Sequence, residues 1–104
     1  MMARPTLFEI TVARVVEPGA TNVGRPTPLG NPFPMRKESD RDKVCEQYEE
    51  WFNEKLSQQD PTVLNELRRL FVIGRSQGYL KLGCYCAPRR CHADTIAKFL
   101  KNYV

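Results

Sequence analysis

The sequence predicts an α/β fold: a small single-domain sandwich with a short, partly parallel sheet and about three helices. Two observations lead there. The segments Leu7–Val16 and Tyr79–Cys86 carry strand-like patterns, and two helical stripes lie between them, with a third helical pattern closing the chain. An order of strand, loop, helix, helix, strand, helix is that of helices packed on a sheet whose strands they connect. At 104 residues the chain fits one domain, residues 1–104, with a modest core. Hydrophobic residues make up 41% and charged residues 27%, close to globular averages, which argues against a disordered chain.

In Leu7–Val16 (LFEITVARVV), Phe8, Ile10 and Val12 alternate with Glu9 and Thr11, the period of a half-buried strand, and Pro18-Gly19 ends it. Gly24–Pro34 (GRPTPLGNPFP) holds Pro26, Pro28, Pro32 and Pro34, so neither a helix nor an interior strand is plausible there. A long ordered loop in a small domain is usually functional, and the apolar Leu29 and Phe33 argue that this one docks onto the body. Ser39 or Asp40 can cap a helix running to about Gln58. Its apolar stripe is Val44, Cys45, Tyr48, Trp51, Phe52 and Leu56, which makes Trp51 a core residue. Asp60-Pro61 starts the next helix, with Asp60 as N-cap and Pro61 at the first helical position. Val63, Leu64, Leu67, Leu70 and Phe71 form its buried face, and it ends near Gly74 or Gly78. Tyr79–Cys86 (YLKLGCYC) is the second strand, with Leu80, Leu82, Cys84 and Cys86 on one side. A turn at Ala87-Pro88-Arg89-Arg90 leads into a last helix from about Cys91 to Asn102, with Ile96, Phe99, Leu100 and Tyr103 inward.

No apolar run approaches the roughly 20 residues of a membrane span. Met1-Met2-Ala3-Arg4-Pro5 has no long apolar stretch behind it, so it does not read as a secretory leader, and the expected compartment is the cytoplasm. The formal charge of +4 is mild. It suits an anionic partner, a nucleotide or a nucleic acid, without requiring one.

The four cysteines are Cys45, Cys84, Cys86 and Cys91. In a reducing compartment, clustered cysteines point to metal or site chemistry rather than to a disulfide framework. The segment Gly83–Asp94 joins a strand end, a turn and a helix start. Open α/β sheets place ligand sites there, and a helix N-terminus favours an anion. Arg89 and Arg90 in the turn add to that preference. Three chemistries could use this set. Cys84, Cys86, Cys91 and His92 have the donors of a tetrahedral zinc site, but common zinc knuckles use Cys-x2-Cys, and adjacent Cys-His ligands are unusual. The expectation is therefore no metal. A Cys91 thiol at a helix start beside two arginines would be reactive, with the sole histidine, His92, as acid or base and Asp94 orienting it. The third is plain ligand binding. Each residue also has a structural role open to it: Cys84 and Cys86 as small apolar residues on a buried strand, His92 and Asp94 as helix caps.

The loop VGRPTPLGNPFPM (Val23–Met35), the helix with Tyr48 and Trp51, and the ending LGCYCAPRRCHADTIAKFL (Leu82–Leu100) resemble the DUF4326 family of phage and bacterial proteins. Its pattern falls on Gly24, Arg25, Gly30, Asn31, Pro32, Phe33, Cys84, Cys86, Pro88, Cys91, His92 and Asp94. Tyr85 stands where tryptophan is common and Ala93 where glycine is common. The resemblance implies a domain of uncharacterised function, often phage-encoded and then acting in the host cytoplasm.

The functional expectation is one pocket made by the two motifs. Gly24, Arg25, Gly30, Asn31, Cys86, Arg89 and Arg90 would bind a nucleotide or other nucleic-acid-derived anion, and His92, Asp94 and Cys91 would carry any chemistry. The alternative is a non-catalytic binding or adaptor protein for nucleic acid or a host protein, with or without a stabilising zinc. Neither cofactor nor oligomeric state is legible.

Overall fold

A computed structural model describes residues 7–87 and 89–104. The leader reading at Met1–Pro5 and the motif position Pro88 lie outside these residues. The elements run β1 (Glu9–Arg14), β2 (Ala20–Asn22), a 3-10 turn (Glu38–Asp40), α1 (Arg41–Ser57), α2 (Pro61–Gln77), β3 (Tyr79–Cys84) and α3 (His92–Lys101). The fold is mixed α/β, with three helices and a three-stranded sheet in the order β1-β3-β2.

Both pairings are parallel, with Glu9 opposite Tyr79 and Arg14 opposite Cys84 on one side, and Ala20 opposite Lys81 and Asn22 opposite Gly83 on the other. The helical pair α1–α2 supplies the long crossover that a parallel return to β3 needs. Strand alternation then sorts β3: Leu80, Leu82 and Cys84 are 0%, 0% and 1% exposed and face the core, whereas Tyr79 is exposed and Lys81 half-buried.

β2 is a departure from the sequence reading, which has no strand at that position. Its three residues, Ala20–Asn22, carry too short a pattern to register. The link from β1 to β2, residues 15–19, has to pass β3, because β3 lies between the two strands it joins. It runs across the face carrying Tyr79, Lys81 and Gly83. Lys81 Nζ donates to the Pro18 carbonyl at 3.1 Å. A Cβ on Gly83 would stand 3.0 Å from Val15 Cα and 3.3 Å from Ala20 Cβ, so glycine is what lets the crossing chain lie this close.

The helices occupy the other face. In α1 the buried residues are Val44, Cys45, Tyr48 and Phe52. Trp51 lies half-buried at the margin of the core, with Lys55 Nζ 6.0 Å from its ring centre, so the core reading of that residue holds only in part. Asp60 caps α2 as its sequence implies, Oδ1 accepting from the Val63 amide at 3.1 Å, and Gly78 ends it at φ +83°. Leu64 and Phe71 are only partly buried, and Glu66 takes a buried position through a two-pronged pair with Arg69. In α3, Ile96 and Leu100 are buried along with Ala93 and Ala97, but Tyr103 is 59% exposed and not inward as its spacing suggests. β3 ends at Cys84, two residues short of the expected Cys86, because the chain turns out of the sheet at Tyr85.

Candidate functional site

Because all the strands are parallel, Arg14, Asn22 and Cys84 end at one edge of the sheet. The two motif segments leave from that edge. Val23 continues the ladder beyond β2, its amide donating to the Gly83 carbonyl at 3.1 Å. The 24–33 loop then folds on itself. Thr27 N–H donates to Gly24 O at 2.8 Å and Gly30 N–H to Thr27 O at 2.9 Å, while Asn22 and Asn31 side chains accept from the amides of Gly24 and Phe33, each at 2.9 Å. A Cβ on Gly30 would lie 2.9 Å from the backbone of Arg25, which explains a glycine there. Leu29 is fully buried, and the Tyr48 hydroxyl donates to its carbonyl at 2.7 Å, tying the loop to α1. Burial pushes the Tyr48 hydroxyl well above the usual tyrosine pKa, so it stays a donor.

The 83–94 segment is fastened to the start of α1. Arg41 donates to the Arg90 carbonyl at 2.8 Å and grips Glu38 with two hydrogen bonds of 2.7 and 2.8 Å. Arg89 reaches Glu38 at 3.4 Å and Arg90 reaches Asp42 at 3.0 Å. Hydrogen bonds to Glu38 and then to Cys86 hold the Arg41 guanidinium firmly charged. Arg25, in contrast, forms no ion pair among the described residues and is exposed.

His92 is 8% exposed and its Nε2 lies 2.8 Å from the Val23 carbonyl. A carbonyl only accepts, so Nε2 carries the proton. Burial lowers the pKa of the ring, which is neutral at pH 7 and stands edge-on to Tyr48 with ring centres 5.1 Å apart. Cys91 is the N-cap of α3: its carbonyl accepts from the Asp94 amide at 3.1 Å, and the Asp94 carboxylate accepts from the Cys91 amide at 3.1 Å. The sulfurs of Cys84 and Cys91 are 2.9 Å apart. The hydrogen bond from Cys91, aided by the amides of Cys86 and Ala87, brings Cys84 down to about 6, against the opposing effect of burial. Cys91 goes the other way, raised by the same hydrogen bond and by burial.

One cavity of about 320 Å³ is lined by residues of both segments: Gly24, Arg25, Asn31 and Phe33 from the loop, and Cys84, Tyr85, Cys86, Arg90, Cys91 and His92 from the strand, turn and helix start. Met35, Arg41, Val44 and Cys45 complete it. Two expected members lie elsewhere. Asp94 borders a separate hollow with Ile10, Thr11, Val12 and Lys98, because residues two apart on a helix point some 200° apart around its axis. Arg89 borders a hollow with Arg14, Arg41, Tyr85 and Cys86. Gly30 shapes the cavity through Arg25 rather than lining it. Arg41 and Cys45 were not foreseen: Arg41 lies in the helix that Ser39 or Asp40 can cap, and Cys45 on its apolar stripe. Among the described residues, no group of three or more His, Cys, Asp or Glu side chains could hold a metal ion, and no helix is long and apolar enough to cross a membrane.

A family model described as a domain of unknown function, DUF4326, matches residues 10–102, and the chain belongs to that family. No curated protein and no solved structure matches.

Proposed function

We propose that this DUF4326 domain binds a small nucleotide-like anion in the cavity at the carboxyl edge of its sheet. The observation that carries this reading is that the 24–33 loop and the 83–94 segment line one hollow, in which Arg25 offers a guanidinium with no carboxylate partner among the described residues. A volume of about 320 Å³ is at the lower end of small-molecule sites. Arg25 supplies charge and paired donors for a phosphate. Tyr85, 73% exposed at the rim, offers an aromatic face to a base.

The binding reading is favoured over proton-transfer catalysis by His92 and Asp94. The Nε2 of His92 is committed to the Val23 carbonyl, and Asp94 is committed to the helix cap and borders another hollow. A long polyanion is disfavoured by Glu38 and Asp42, which pair with Arg41, Arg89 and Arg90 and offset two of their three charges where a continuous basic face would be needed.

Titration calorimetry against nucleoside mono- and diphosphates, with inorganic phosphate as the comparison, tests this. Binding is expected to weaken at least tenfold in Arg25→Ala with little change in melting temperature, since the side chain is exposed. Equal affinity of the variant, or no nucleotide binding by the wild type, would overturn the reading.

A further inference from the structure

Cys84 and Cys91 reach each other from different elements, the end of β3 and the N-cap of α3. A disulfide has an S–S length of about 2.05 Å. The observed separation of 2.9 Å therefore has to close by roughly 0.9 Å (2.9 − 2.05) for a bond to form. Both side chains are buried, 1% and 4% exposed, yet both line the cavity, so a reagent that enters it meets them. The two sulfurs share one hydrogen bond, in which either can donate, and that contact lowers the pKa of Cys84, which favours its thiolate, the attacking form. Cys86 and Cys45 line the same cavity but make no sulfur–sulfur contact of this kind among the described residues.

We propose that Cys84 and Cys91 form a thiol–disulfide exchange site in the wall of the cavity, with a small disulfide, RS–SR, as the oxidant. In the first step the Cys84 thiolate attacks one sulfur of RS–SR. A Cys84–SR bond forms, the RS–SR bond breaks, and RS⁻ leaves to be protonated as RSH. In the second, Cys91 gives up its proton and its sulfur attacks the Cys84 sulfur. The Cys84–Cys91 bond forms and the second RS⁻ leaves, taking that proton. Two protein thiols lose two electrons and two protons, and one external disulfide becomes two thiols. This site does not rest on the nucleotide reading. Its oxidation would be felt there nonetheless, because Cys91 caps α3 and the next residue, His92, holds the loop through Val23.

The test is equilibration of the full chain in buffers of oxidised and reduced glutathione, followed by denaturation, alkylation and peptide mapping. Of the four thiols, two are expected to be lost, and fragmentation should place a link between Cys84 and Cys91 with Cys45 and Cys86 alkylated. The link should form at a lower oxidant ratio in the folded chain than in denaturant, where the two cysteines are merely seven residues apart. Cys86→Ser should retain it. Cys91→Ser, if it folds, should accumulate one glutathione on Cys84. Four thiols at every ratio, a link to Cys86 instead, or equal oxidation in folded and unfolded chains would overturn the proposal, and the wild-type mapping decides it even if Cys91→Ser is unstable.

Discussion

Replacing Tyr48 by phenylalanine isolates the tie between the site loop and the helices. The ring is fully buried, with Trp51, Phe52 and His92 around it at centroid distances of 5.4, 6.1 and 5.1 Å. Those contacts survive the substitution, because only the hydroxyl is removed. What is lost is the 2.7 Å bond to the carbonyl of Leu29, itself fully buried. A buried acceptor left without its donor costs about 1–3 kcal/mol. A central value of about 2 kcal/mol corresponds to a fall in melting temperature of roughly 8–15 °C for a domain of this size. Urea unfolding followed by tryptophan fluorescence should show a lower midpoint at unchanged slope. Tyr103→Phe is the control: that side chain is 59% exposed, and its change should stay within about 0.5 kcal/mol. If Tyr48→Phe were as stable as wild type, the docking of Leu29 would owe nothing to this bond, and the loop would have to be held by apolar burial and His92 alone.

Gly83→Ala should cost about 1–3 kcal/mol in the same assay, because its Cβ would meet the Val15 backbone at 3.0 Å and the link to β2 would have to shift away from β3. Asp60→Ala should cost about 1 kcal/mol through loss of the cap on α2; its half-exposed pair with Lys55, at 3.8 Å, adds little. His92 sets a pH dependence of known sign. Its folded pKa lies below the ordinary histidine value, so the unfolded chain takes up the proton first as pH falls. The stability it contributes is therefore complete above about pH 6.5 and is lost on acidification below it, by at most about 1.4 kcal/mol per pH unit. His92→Gln should flatten that part of the curve, and parallel curves for variant and wild type would contradict the assignment.

Much of the fold can be read from local chemistry. Asp60-Pro61 marks the start of α2 and Gly78 its end, since a cap and a left-handed turn are decided within a few residues. The alternation in β1 and β3 and the stripe through Val44, Tyr48 and Phe52 are equally local, as is the irregularity of a loop with four prolines between 26 and 34. The family resemblance carried by the two motifs, from Val23 onward, agrees with the family match over residues 10–102. The periodicity overreached at Trp51 and Tyr103, whose spacing says which face of a helix they share but not whether another element covers that end of it. Other features were decided by residues far apart in the chain. Nothing near Gly83 announces that a link from β1 to β2 crosses over it. His92 and Val23 are 69 residues apart, yet their contact fixes the ring's tautomer and anchors the loop. Sequence alone determined which donors, charges and turn formers the two motifs hold, because these are properties of residue types. The tertiary structure decided which of them share a cavity, because parallel strands bring to one edge segments the chain keeps apart, while helical rotation turns Asp94 away from its neighbour His92.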